Sequence, residues 1–266
     1  LSAEPLGTWV DGRAGAPVPA LADGALETLA VVDGRIRLLD RHLARLALAA
    51  ARLGLTLPAA ETIAAELAEA AARPGVAVLR LACGRLPGEG GTRRVLTATG
   101  PRLRPGAWWT EGIVARTCRT PAPADPAFAG LKRLDRAAFV AARGEWDDPA
   151  IAEGLLFDVH GRVVCGTMTN VFAVVDGRLA TPDVTRAGVA GVMRGALLEA
   201  WRAEGRPVEV RDLAAAELAR AEEVFVTNAL IGAWPVRRLD GRELAPGPWA
   251  RAAQVAVAAW PRGGLR

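Results

Sequence analysis

GLKRLDRAAFVAARGEWDDPAIAEGLLFDVHGRVVCGTMTNVF, residues 130–172, carries the only lysine of the chain, Lys132. The chain has 33 Lys plus Arg; less that one lysine, 32 are arginine, and tyrosine is absent. Arginine replaces lysine as a solubilising surface charge, but its guanidinium stays protonated and cannot act as an amine nucleophile. A lysine kept against that bias is a candidate for amine chemistry. The same stretch reads as a helix over 135–143, then strands over 154–158, 163–165 and 170–174, with turns at His160-Gly161 and Gly166.

Upstream, TWVDGR (8–13) reads as a strand entering an Asp-Gly turn, and 28–39 reads as a hairpin around Asp33-Gly34. Asp40 is placed to cap a helix over 41–53, with Leu43, Leu46, Ala47, Ala50 and Leu53 on its apolar face and Gly54 as its stop. A second helix over 61–73 ends at Pro74-Gly75, and strands over 76–82 and 95–99 flank a glycine-rich loop, 84–91. GPRLRPGAWWTEG (100–112) reads as a linker, followed by a strand over 113–117. Downstream come an Asp176-Gly177 hairpin turn, helices over 189–203 and 214–220, and strands over 208–210 and 224–227. Short strands mixed with helices predict an α+β fold. The expected division is an N-terminal domain over 1–104, a linker over 105–112 and a C-terminal domain over 113–266.

Composition excludes several classes. At 266 residues, 51% hydrophobic and 23% charged, the chain can pack a core and is too apolar for disorder. No uncharged stretch reaches 18 apolar residues, so no membrane span is expected, and LSAEPLGTWVDGRAG shows no secretory pattern. The net charge of +4 comes from scattered residues, pairs at most, which argues against nucleic acid as a partner. Three distant cysteines, 83, 118 and 165, form neither a disulfide framework nor a zinc site and point to a reducing, cytoplasmic setting. Phosphate-loop, dinucleotide, GxSxG and HExxH motifs are absent, and no metal site is expected.

Of the two histidines, His160 falls in an exposed turn, while His42 shares a helix face with Arg45, either as a surface pair or as part of a phosphate or carboxylate site. Segments 166–170, 188–194 and 227–229 place small and hydroxyl residues at strand ends or a helix start, where backbone N–H groups can hold an anion. One amine, one arginine early in a helix and several anion-friendly turns fit a phosphorylated aldehyde cofactor.

With GRIRLLDRHLARLALAAARLGL (34–55), TPDVTRAGVAGVMR (181–194) and EVFVTNALIGAWPV (223–236), the opening stretch resembles the fold-type IV pyridoxal-phosphate (PLP) enzymes, and among them the aminodeoxychorismate lyase family. The resemblance implies two α/β domains of the D-amino acid aminotransferase-like type. It places PLP in a cleft between them, and the homodimer partner helps close the site. It also implies that Lys132 forms a Schiff base with PLP and that Arg45 pairs with the PLP phosphate. Backbone N–H groups of Val192 and Met193 would bind the same phosphate, Asn228 and Ala229 would lie beside it, and Thr28 would stand near the substrate. The implied reaction converts aminodeoxychorismate to 4-aminobenzoate and pyruvate. D- or branched-chain amino-acid transamination on the same fold is the alternative, with a PLP-independent paralogue acting on a chorismate-like ligand as a third.

The chain departs from the family pattern at Cys165, where the family has a glutamate that keeps the pyridine nitrogen protonated. A thiol, with a pKa near 8.5, holds that proton less firmly and is expected to bias the site against transamination. Segment 20–31 reads as shortened, and the loop 83–94 lacks the family's Arg-Gly-Tyr ending, leaving Arg85, Arg93 and Arg94 as candidate carboxylate partners.

Overall fold

The computed structural model describes residues 4–88 and 90–260, so Glu89 of the glycine-rich loop lies outside the described residues. The chain divides into two compact units. Of the described residues, the first takes Glu4–Leu103, Leu131–Asp135 and Trp260; the second takes Arg104–Gly130 and Arg136–Ala259. The expected C-terminal domain therefore loses residues 131–135, Lys132 among them, to the first unit.

In the first unit β1 (Pro5–Val10), β2 (Arg13–Ala14), β3 (Asp23–Val32), β4 (Arg35–Ile36), α1 (Leu39–Leu53), α2 (Ala60–Ala71), β5 (Val78–Arg85) and β6 (Thr92–Thr99) follow in order. The strands form one antiparallel sheet, β2-β1-β6-β5-β3-β4, with α1 packed on β3. Asp11-Gly12 and Asp33-Gly34 turn the two short hairpins with positive φ at both residues, as a two-residue hairpin loop requires.

Two expectations for α1 change. Its N-cap is Leu38, in left-handed conformation and without a side-chain cap, so Asp40 sits inside the first turn. An acid there still favours the positive end of the helix dipole. Its buried face is His42, Leu46, Ala49, Ala50 and Leu53, whereas Ala47 is exposed and Leu43 only half-buried. The stripe rotates because His42 finds a buried acid on the sheet, described below.

The second unit contains α3 (Ala107–Thr110), β7 (Ile113–Thr117), α4 (Ala137–Arg143), β8 (Ile151–Phe157), β9 (Val163–Gly166), β10 (Asn170–Val175), β11 (Arg178–Pro182), α5 (Val192–Ala203), β12 (Glu209–Arg211), α6 (Ala215–Arg220), β13 (Glu223–Asn228), β14 (Gly232–Leu239), β15 (Arg242–Glu243) and α7 (Pro248–Ala259). Its mixed sheet runs β12-β11-β10-β13-β14-β7-β8-β9, with β15 on β14. One face buries Ile113, Leu155, Val171, Val226, Trp234 and Val236. Phe172 and Phe225, stacked at 4.9 Å, alternate to the other face and meet Trp201 of α5 edge-on.

The stretch expected as a linker holds α3 instead. Trp108 and Trp109 pack edge-on against Trp234, and Trp109 Nε1 donates to the Ile231 carbonyl at 2.8 Å. Burying two indoles outweighs the Pro/Gly composition that suggested irregular chain. Among the described residues no helix is long and apolar enough to cross a membrane.

Candidate active site

In the first unit, residues 131–135 run antiparallel beside the start of β3. Leu26 N donates to Lys132 O and Leu134 N to Gly24 O, both at 2.8 Å, around an Ala25–Arg133 bridge. This register sets Lys132 opposite Leu26 and Leu134 opposite Gly24. Residues opposite one another share a face, and alternate residues along a strand return to it. Lys132 therefore shares a face with Leu26 and Thr28. Thr28 pairs with Arg80, and Arg80 with Thr97, in the same sheet. Leu134, Val78, Arg80, Ala82, Val95 and Thr97 line a cavity of about 520 Å3 on that face. Arg80 is exposed and meets no carboxylate among the described residues.

The three arginines expected to meet substrate carboxylates are otherwise engaged. Arg85 donates to the carbonyls of Leu53 and Gly54 at the end of α1, both at 2.7 Å, and faces Asp23. Arg93 pairs with Asp11, and Arg94 with Glu66 at 2.7 Å. Each answers a helix end or an acid of its own unit, contacts that span 28 to 82 positions of sequence and leave no local signature.

The opposite face of β3 carries a charged cluster with no signal in the local sequence, and the charge of Lys132, on the segment alongside β3, reaches it. Glu27, 1% exposed, accepts from Arg45 Nε at 2.8 Å and Arg45 Nη2 at 2.5 Å, and bonds His42 Nδ1 at 2.6 Å. Burial pushes the Glu27 carboxyl up, but the Arg45 charge and the bonds from His42 and Arg45 outweigh it and hold it below its ordinary value. Burial dominates at His42 and keeps it below its ordinary value, hence neutral, with Arg45 and Lys132 adding to the effect against Glu27. His42 Nε2 is buried without a hydrogen-bond partner among the described residues. The shared helix face of His42 and Arg45 was legible; that it meets an acid on β3 was not.

In the second unit, Cys165 near the end of β9 is buried, and its thiol is pushed up to about 12 by burial and by the charge of Glu153. Glu153, on β8 and fully buried, gathers the turn that follows β9. It accepts from Gly154 N (2.9 Å), Thr167 N (3.0 Å), Thr167 Oγ1 (2.5 Å) and Thr169 Oγ1 (2.8 Å). Burial raises its pKa against those bonds. The hydroxyl-rich turn is thus spent on an internal acid. Gly166 is obligatory beside it, since a Cβ there would stand 2.1 Å from Thr169 Oγ1.

At α5, Val192 and Met193 begin the helix behind Gly191, an extended N-cap with no side-chain cap. Their N–H groups precede the first i to i−4 bond, made by Gly195 to Gly191. Asn170 Nδ2 donates to the Val189 carbonyl at 2.8 Å, and a Cβ on Gly191 would fall 1.8 Å from Asn170 Oδ1. Asn170 pairs with Thr227, so the two side chains share a face. Thr227 Oγ1 is fully buried and has no hydrogen-bond partner among the described residues. An uncapped helix N-terminus, a glycine where no Cβ fits and an orphaned buried hydroxyl fit a phosphate group. Asn228 shapes the neighbouring turn: its Oδ1 accepts from Leu230 N (2.9 Å) and Ile231 N (3.0 Å), and its Nδ2 donates to Met168 O (3.2 Å). Ala229 lies in that turn.

A single amine and a helix start that fits a phosphate suit a PLP-dependent enzyme. The amino-transferase class IV family matches residues 24–239, and the chain belongs to it. Its fold is that of the fold-type IV enzymes. A solved 4-amino-4-deoxychorismate lyase from Pseudomonas aeruginosa is 40% identical, with a TM-score of 0.89 over 96% of this chain and 99% of that one. An aminodeoxychorismate lyase of Vibrio harveyi is 28% identical over 88% of this chain and 92% of its own length. A hypothetical aminotransferase from Mycobacterium tuberculosis, in its PLP-bound form, is 25% identical with a TM-score of 0.84, covering 95% and 98%.

Proposed function

We propose that this chain is a PLP-dependent lyase that converts 4-amino-4-deoxychorismate to 4-aminobenzoate and pyruvate. The observation that carries the reading is the single lysine, held by β3 on the same sheet face as Thr28 and Arg80. The 40% identity to a solved lyase of that reaction supports it. PLP, when bound, supplies the carbonyl that captures amines and the conjugated ring that accepts electrons.

The chain's own groups do the rest. As the family resemblance implies, Arg45 would pair with the phosphate and the N–H groups of Val192 and Met193 would bind it, with Asn228 and Ala229 beside it and the Thr227 hydroxyl as a further donor. Lys132 Nζ would hold the cofactor and, once free, would act as the base that takes the proton from the ring carbon bearing the substrate amine. Thr28 Oγ1 supplies a proton to the departing enolpyruvate, and loss of that group leaves an aromatic ring. Cys165, a neutral thiol, stands where the family has an acid that would meet the pyridine nitrogen, and formation of an aromatic ring would favour the elimination even with a weaker electron sink. We carry the homodimer and the cytoplasmic setting as part of this proposal, the latter on three unpaired cysteines.

Arg80 is the carboxylate partner in this reading. It lies two strand spacings, about 10 Å, across the sheet from Lys132 and two residues, about 7 Å, along it. Two side chains reaching inward over that span can hold a six-membered ring bearing a carboxylate. Arg80→Ala is expected to raise KM for aminodeoxychorismate about 10-fold or more at little change in kcat, the loss of one charge-assisted bond. A proportional loss of kcat at constant KM would remove Arg80 from the binding role.

The deciding assay is pyruvate release from aminodeoxychorismate by the PLP-loaded protein. Release supports the lyase. Amino transfer from D-alanine or branched-chain amino acids to 2-oxoglutarate without pyruvate release would favour the aminotransferase reading, which the M. tuberculosis neighbour keeps open. Cys165→Glu tests the same boundary: the variant is expected to gain amino-transfer activity, and an unchanged absence of it counts against the role given to the thiol.

A further inference from the structure

We propose that Glu27 is a positioning residue for the PLP phosphate, acting through Arg45. The inference rests on the assignment of Arg45 to that phosphate. Glu27 is a buried acid on a strand, where an apolar residue would pack against α1 more cheaply. Its two oxygens are both committed: Oε1 to Arg45 Nε, and Oε2 to Arg45 Nη2 and His42 Nδ1. The two-point contact fixes the plane of the guanidinium, which a single bond to a flexible arginine would leave free to swing. His42 locks the carboxylate from the other side. Its Nδ1–H donates to a charged oxygen, which sets its tautomer, while burial keeps the ring neutral beside Arg45.

The placement ties this lock to the reacting end of the unit. Glu27 stands between Leu26, whose N–H donates to the Lys132 carbonyl, and Thr28. One carboxylate therefore joins the helix that carries Arg45 to the strand position that holds Lys132. A role in packing alone would not call for the fork geometry. A role as a simple counter-charge would oppose phosphate binding rather than assist it.

The test compares PLP with pyridoxal, which has the aldehyde but no phosphate, on the apo-protein, with thermal melts as the fold control. Glu27→Gln is expected to weaken PLP binding at least 10-fold while pyridoxal changes less than 2-fold, and Glu27→Asp should recover part of the loss. PLP affinity that is unchanged or tighter in folded Glu27→Gln overturns the proposal, as does an equal fall for both ligands. Should Glu27→Gln not fold, Glu27→Asp and His42→Asn read the same ratio: a fall of 3-fold or more in the preference for PLP supports the proposal, and a constant preference overturns it. Wild-type protein that binds PLP no tighter than pyridoxal removes the Arg45 assignment itself, an outcome distinct from a Glu27 variant that keeps the preference.

Discussion

Lys132→Ala is expected to abolish the visible absorbance that PLP gives when joined to a lysine amine, and to lower turnover by about 10^3-fold or more. The chain makes this experiment unusually clean. Arginine supplies every other basic side chain except the two histidines, so no neighbouring lysine can substitute. Lys132→Arg separates charge from chemistry: it keeps a cation on the same strand but offers no neutral amine, and it is expected to be as inactive as Lys132→Ala. A small primary amine added to Lys132→Ala should restore part of the rate by returning a mobile base. Visible absorbance retained in both variants would show that the aldehyde is held elsewhere and would end the reading of this face as catalytic.

The second large effect is on stability. Glu153→Ala is expected to cost about 3–5 kcal/mol, a drop of roughly 10 °C in Tm, because it strands the buried N–H of Gly154 and the hydroxyls of Thr167 and Thr169 and opens a void. Glu153→Gln keeps an acceptor at Oε1, where three of the five bonds converge, and should retain most of the stability. Urea melts of both variants decide it. A Glu153→Ala protein within about 1 kcal/mol of wild type would mean that the 166–170 turn is held by its backbone alone. The turn matters to the site because it joins Cys165 to Asn170, the residue pressed against Gly191 at the start of α5.

The two predictions fall on opposite sides of what residue order reveals. Lys132 stands out by composition alone, as the one lysine among 32 arginines. Glu153 does not: AEGLLFD reads as an ordinary strand, and nothing local says that its acid points inward to bond a turn 14 residues on. Glu27 escapes for the same reason, its partners lying 15 and 18 positions away. The candidate carboxylate arginines stand in a loop that differs from the family pattern. The structure gives them acids and carbonyls, and leaves Arg80, in the middle of a strand, facing the cavity.

Residue order by itself determined the succession of short strands and helices, the Asp-Gly hairpin turns, the helix stop at Gly54, a helix ending at Ala203 and the singular lysine. Those are local matters of φ preference, hydrophobic period and residue type, settled within a few positions. Only the tertiary structure decided that residues 131–135 return to the first unit, that His42 and Arg45 share one buried acid, and that Thr227 keeps an unanswered hydroxyl opposite Asn170. Burial turns an ordinary acid or hydroxyl into a group that must find a partner, and that partner comes from a distant part of the chain that no short window contains.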